Sequence, residues 1–173
     1  SDPTVRSIAD DSDCDGIPTA DDCDDTSTAF VANCDCVGDY VITDGGIPGD
    51  FAIATAIVAQ CTTITGSLSI TGATEPYANL GGNLTSIDGY LNISATGNLM
   101  NVSGLEALTS VTGDVYIEEN IQLSSLQTLV GLTNIGGWLD IWNNPGLGDL
   151  MGLGQLTTVA WGITVEDNAY LGD

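Results

Sequence analysis

Apolar residues recur in fixed columns along the second half of this chain. The strings Leu84-Thr-Ser-Ile-Asp-Gly, Leu108-Thr-Ser-Val-Thr-Gly, Leu132-Thr-Asn-Ile-Gly-Gly and Leu156-Thr-Thr-Val begin 24 residues apart. A degenerate copy, Cys61-Thr-Thr-Ile-Thr-Gly, begins 23 residues before Leu84. A constant period of this size marks a solenoid, in which one coil cannot bury its apolar face without stacking on its neighbours.

Numbered from the first residue of each copy, positions 8 and 10 are Leu68/Ile70, Leu91/Ile93, Val115/Ile117, Leu139/Ile141 and Ile163/Val165. Polar and aromatic residues alternate with them, which predicts a strand with one buried face. Apolar columns at position 16 (Leu99, Leu123, Leu147, Leu171), 19 (Val102, Leu126, Leu150) and 22 (Leu105, Leu129, Leu153) suit turns and short helical bends. Position 6 is Gly66, Gly89, Gly113 and Gly137, predicting a corner with positive φ or close backbone approach. Trp161 stands in that column in the last copy, so its corner is expected to be rearranged. Asn120, Asn144 and Asn168 at position 13 predict stacked amides that hydrogen-bond a neighbouring coil. At roughly 4.8 Å per coil, about five coils make a rod near 24 Å long.

The repeated Leu-Thr-Ser-Ile-x-Gly-x-Leu-x-Ile string, with its Asn-bearing turn, resembles the receptor L-domain family, found in insulin and epidermal growth factor receptors and in fungal surface proteins. The likeness runs from Cys36 to Asp173 and includes Cys36-Val-Gly-Asp-Tyr-Val-Ile-Thr. It implies a mainly β fold: a right-handed β-solenoid of about five 24-residue coils. Residues 50–60 then read as a short capping helix, with Asp50 as N-cap and Phe51, Ile53, Ala54, Ile57 and Val58 as its apolar stripe. A Cys36–Cys61 disulfide would staple this cap. The domain organisation is thus an N-terminal arm and calcium-binding segment (1–35), a cap (36–60) and coils (61–173). The pattern stops midway through a coil at Tyr170-Leu171-Gly172-Asp173 without a cap, which predicts exposed apolar columns and strand edges open to association.

Ahead of the repeats lie eight aspartates, Asp10, Asp11, Asp13, Asp15, Asp21, Asp22, Asp24 and Asp25. Asp11, Asp13 and Asp15, then Gly16 and finally Asp22, fall at loop positions 1, 3, 5, 6 and 12 of an irregular calcium-binding loop. The Ile17 carbonyl and Thr19 occupy positions 7 and 9, and Asp22, Asp24 and Asp25 are placed to share a second Ca2+. Pro18 and the lack of flanking helices argue against a paired helical EF-hand; the string instead resembles thrombospondin type 3 repeats. Oxygen ligands without any histidine favour calcium over zinc or copper.

Charge narrows the partners. The chain carries 24 acids, one basic residue (Arg6) and no His, for a net charge of −23. That excludes ordinary nucleic-acid backbone binding and disfavours anionic lipid surfaces. No run of 18 apolar residues occurs, so no membrane insertion is expected, and Ser1 reads as a mature or truncated start. Five cysteines (Cys14, Cys23, Cys34, Cys36, Cys61) beside a calcium loop point to an extracellular or cell-surface location. If Cys36 pairs with Cys61, Cys23–Cys34 is the favoured second pair, leaving Cys14 free or intermolecular. Asn83, Asn92 and Asn101 head glycosylation sequons.

The outward strand columns hold Tyr90 and Trp138 at position 7, Tyr116 and Asp140 at 9, and Glu118, Trp142 and Glu166 at 11. They form a candidate face for a glycan or protein, or rings that merely cross-pack on an exposed sheet. A Glu118/Asp140 glycosidase pair would sit on a flat face without a cleft, so no enzyme is expected. Two functions follow. The first is a calcium-stabilised structural protein, self-associating as a filament or surface-layer subunit. The second is an adhesin- or receptor-type binding module that uses the aromatic face.

Overall fold

The computed structural model of the chain describes residues 34–43 and 50–171, which wind into a β-solenoid of stacked parallel strands. One side of the coil stacks β1 (Cys34–Cys36), β3 (Cys61–Ile64), β6 (Ser86–Ile87), β9 (Ser110–Val111), β11 (Asn134–Ile135) and β13 (Thr158–Val159). The second side stacks β2 (Tyr40–Ile42), β4 (Leu68–Thr71), β7 (Leu91–Ser94), β10 (Val115–Glu118), β12 (Trp138–Trp142) and β14 (Gly162–Glu166). On the third side β5 (Tyr77–Asn79) pairs with β8 (Asn101–Ser103), and 3-10 turns at Gln127–Leu129 and Met151–Leu153 continue the column. The first rung is built from residues ahead of the repeats. Its helix α1 (Asp50–Val58) packs against β2 and β5, taking the place that β5 takes one coil later.

Register follows the repeat. Leu68, Leu91, Val115, Leu139 and Ile163 are successive cross-strand partners, as are Ile70, Ile93, Ile117, Ile141 and Val165. The first four of each row are buried to within 2% of complete exclusion. Each such aliphatic side chain contributes about 2 kcal/mol of burial, and a one-residue slip would turn the whole row to solvent. Within α1, Phe51 and Val58 are buried, and the buried Thr55 hydroxyl donates to the carbonyl of Phe51 at 3.0 Å.

The corners divide their work differently from the expectation. Gly66, Gly89, Gly113 and Gly137 do not adopt positive φ; they are small because the coils touch there. A Cβ on Gly113 would lie 2.7 Å from the Gly89 carbonyl oxygen. Backbone hydrogen bonds run down the column at 2.7 Å (Gly89 to Gly66), 2.9 Å (Gly113 to Gly89) and 3.0 Å (Gly137 to Gly113). Trp161 does not rearrange its corner. Its N–H still donates to Gly137, at a slightly longer 3.2 Å, while its side chain is 71% exposed.

The left-handed residues stand six positions later. Gly72 (φ 60°), Ala95 (53°), Glu119 (56°), Asn143 (53°) and Asp167 (56°) turn the chain out of the second-side strand in every coil. Four of the five are not glycine, so those four coils carry a local cost of order 1 kcal/mol that the stack must overcome.

The next residue supplies part of the compensation. Asn120 and Asn144 are wholly buried. The Asn120 amide donates to the Ile93 carbonyl (2.8 Å) and to Asn144 Oδ1 (2.9 Å). Asn144 repeats this to Ile117 (2.7 Å) and Asn168 Oδ1 (3.2 Å), and Asn168 reaches Ile141 (2.8 Å). The buried Thr96 occupies the same place one coil earlier and donates its hydroxyl to Asn120 Oδ1 at 2.6 Å. A second ladder is built by the threonine at position 2 of every copy. The hydroxyls of Thr85, Thr109, Thr133 and Thr157 each donate to the threonine carbonyl one coil back, at 2.9 to 3.0 Å.

The expected cap disulfide is present: Cys36 and Cys61 are bonded, with Cα atoms 5.5 Å apart across β1 and β3.

Candidate functional site: an aromatic and acidic strand face

The second-side sheet presents positions 7, 9 and 11 to solvent because its alternate positions are locked into the core. Column 9 runs Ser69, Asn92, Tyr116, Asp140, Thr164, and column 11 runs Thr71, Ser94, Glu118, Trp142, Glu166, as successive cross-strand partners. The early coils are therefore small and polar, and the later ones carry the rings and carboxylates. Tyr90 and Trp138 are 43% and 42% exposed, while Tyr116, Asp140 and Trp142 are half-buried.

Carboxylates hold the rings. Asp114, absent from the sequence-based site, accepts the Tyr116 hydroxyl at 2.8 Å and the Trp138 backbone N–H at 2.7 Å. Its place in column 7, between Tyr90 and Trp138, was the available signal. The Trp142 indole N–H donates to Asp167 Oδ2 at 3.0 Å. Trp138 lies over the next coil: a Cβ on Gly162 would fall 2.9 Å from its Cε3 atom, so a larger residue there would displace the ring.

The electrostatics are one-sided. Hydrogen bonding to Asp114, then burial, then the charges of Asp114, Glu118 and Asp140 push the Tyr116 hydroxyl up to about 12, so it remains a donor. Burial, followed by the charges of Asp140 and Glu119, raises the Glu118 carboxyl above its ordinary value. Asp140 Oδ1 is shielded from solvent and has no hydrogen-bond partner.

A family model for the receptor L domain matches residues 60–171, well over half of the 173-residue chain. The chain belongs to the receptor L domain family. Receptor L domains are extracellular or cell-surface modules without enzymatic activity, and the family suggests a ligand-binding role. No curated protein and no solved structure matches the chain.

Within this receptor L domain the sequons differ in setting. Asn83 is exposed and donates to the Ala59 carbonyl at 3.0 Å; Asn92 is half-buried on the strand face and donates to Ser69 Oγ at 3.3 Å. Asn101 is exposed and borders a shallow groove of about 370 Å³ on the third side. The expected calcium ligands Asp11, Asp13, Asp15, Ile17, Thr19, Asp22, Asp24 and Asp25, and with them the thrombospondin-like string, lie outside the described residues. So do Cys14 and Cys23, and hence the expected Cys23–Cys34 pairing. No described helix is long and apolar enough to cross a membrane.

Proposed function

We propose that this chain is a non-enzymatic extracellular binding module that takes its ligand on the strand face of Tyr90, Tyr116, Trp138, Asp140 and Trp142. One observation carries the reading: Trp138 and Tyr90 stay more than 40% exposed on a sheet face that also carries the half-buried rings of Tyr116 and Trp142. Aromatic rings supply large contact area at little entropic cost, and here Tyr116 is held by Asp114, Trp142 by Asp167, and Trp138 lies over Gly162. Family membership favours this reading over a purely structural one. The test is binding of the immobilised full chain to glycan and peptide panels, wild type against Trp138→Ala/Trp142→Ala. A ligand lost by the double variant, with the melting curve retained, supports the face; undiminished binding overturns it.

Self-association as a structural subunit is a second reading. Sedimentation of the chain in millimolar calcium tests this: a concentration-independent monomer that stays monomeric up to about 1 mM excludes it. Calcium binding by residues 11–25 belongs to both readings and rests on ligand spacing alone. Isothermal titration should show saturable heat that Asp13→Asn/Asp15→Asn removes; identical heats in the variant would refute those ligands.

A further inference from the structure

The hydrogen-bonding inventory of the aromatic face is lopsided. The Tyr116 hydroxyl and the Trp142 indole N–H are donors, and both are spent on Asp114 and Asp167. Among the described residues Glu118 and Glu166 accept no side-chain hydrogen bond, and Asp140 Oδ1, also unpartnered, is shielded from solvent beside them. Carboxylates accept and never donate at neutral pH, so a partner that satisfies them must bring N–H or O–H groups of its own. Among the described residues no basic side chain offsets these charges.

The carboxylates are also spread rather than convergent. Glu118 and Trp142 are cross-strand partners, as are Tyr116 and Asp140, and Glu166 follows Trp142 on the next strand. Charge therefore alternates with rings across three strands about 4.8 Å apart. Among the described residues no three acidic side chains group as a metal cage. An inorganic ion would thus lack a shell, whereas an extended organic cation could lie across rings and carboxylates together. Guanidinium and ammonium groups gain both from aromatic faces and from charge-assisted hydrogen bonds to carboxylates.

We infer that this face recognises a cationic polypeptide segment, its arginine or lysine side chains lying on Tyr116, Trp138 and Trp142 and donating to Glu118, Asp140 and Glu166. The inference rests on the ligand-face reading above and specifies its chemistry. Anionic ligands, including sulfated or uronic-acid glycans, are disfavoured because the face offers them repulsion and, among the described residues, no pairing cation. Neutral glycans supply hydroxyl donors to the carboxylates but no charge to offset them, so the face favours a cation over them.

The experiment uses the full chain carrying Trp161→Phe, so that Trp138 and Trp142 are the remaining tryptophans. Their fluorescence is titrated with an alternating arginine–glycine peptide, an alternating glutamate–glycine peptide and cellohexaose. The expected result is saturable binding of the arginine peptide alone. Glu118→Gln/Asp140→Asn should weaken it at least tenfold, and the equally charged control Glu75→Gln/Asp88→Asn less than threefold. Melting curves establish that both variants are folded, and Trp138→Ala supplies an independent loss. Equal weakening by the two pairs would mean attraction to net charge alone and would overturn the inference. Binding of cellohexaose alone, abolished by Trp138→Ala, would overturn the cationic partner but keep the ligand face. If no probe perturbs either tryptophan, the inference falls and the face loses its support with it.

Discussion

Asn120 and Asn144 sit one above the other in the closed interior of the solenoid, the amide of the first donating to the side-chain oxygen of the second at 2.9 Å. Each also satisfies a strand carbonyl in the coil before it. The pair thereby ties the exit of one strand to the next coil, at the corner where the backbone has just passed through positive φ.

Asn144→Ala would leave the Ile117 carbonyl and the Asn120 amide short of partners in a site without water access. Each buried unsatisfied group costs about 1–3 kcal/mol, so a loss of about 3 kcal/mol is expected. Urea unfolding of the variant checks it. A loss below about 1 kcal/mol would mean that the ladder is incidental to stability.

The left-handed column makes opposite predictions for two neighbours in the stack. Ala95→Gly should stabilise by up to about 1 kcal/mol, because glycine adopts φ 53° without a Cβ clash. Gly72→Ala should destabilise by a similar amount, although the nearest atom to its added methyl, Thr43 Oγ1, is an ordinary 3.6 Å away. Thermal melts of the two single variants read the signs. The same sign in both would show that φ is not the controlling quantity.

Closing the 25-residue separation between Cys36 and Cys61 removes unfolded-state entropy equivalent to about 3 kcal/mol. Cys36→Ser/Cys61→Ser should lower the melting temperature accordingly, with the earliest loss of amide protection in β1 and β3. Hydrogen exchange resolved by segment locates that loss; uniform deprotection would contradict a local staple.

The acidic face gives two pH predictions. Tyr116 has its folded pKa raised to about 12 from the ordinary 10.0, so its contribution to stability is complete below pH 10 and disappears as pH rises toward 12. The tyrosinate difference spectrum between wild type and Tyr116→Phe should show a late-titrating phenol, shifted earlier by Asp114→Asn. Glu118 is also raised, so folding favours its protonated form and its ionised form works against the fold at neutral pH. Glu118→Gln should therefore melt higher than wild type at pH 7, with the difference shrinking toward pH 4. A variant that melts lower at pH 7 would contradict that sign.

The period of 24, the alternation at positions 8 and 10 and the asparagine column were sufficient to determine a parallel solenoid, its inward rows and its buried amide ladder. A repeated pattern offers one consistent way to bury every copy's apolar side chains, and that constraint is local enough to read from the chain. The outward placement of Tyr116, Trp138 and Trp142 followed from the same alternation. Tertiary structure alone decided which corner is left-handed, since Ala95 and Glu119 carry no sign of positive φ and are held there by the coils around them. It alone set Asp114 beneath Tyr116 and Trp138, gave the threonine hydroxyls their carbonyls, and laid Trp138 over Gly162. Apart from the Asp114–Tyr116 contact, two residues apart within one copy, those relationships join residues roughly one period apart, across coils whose relative twist and spacing arise only from stacking.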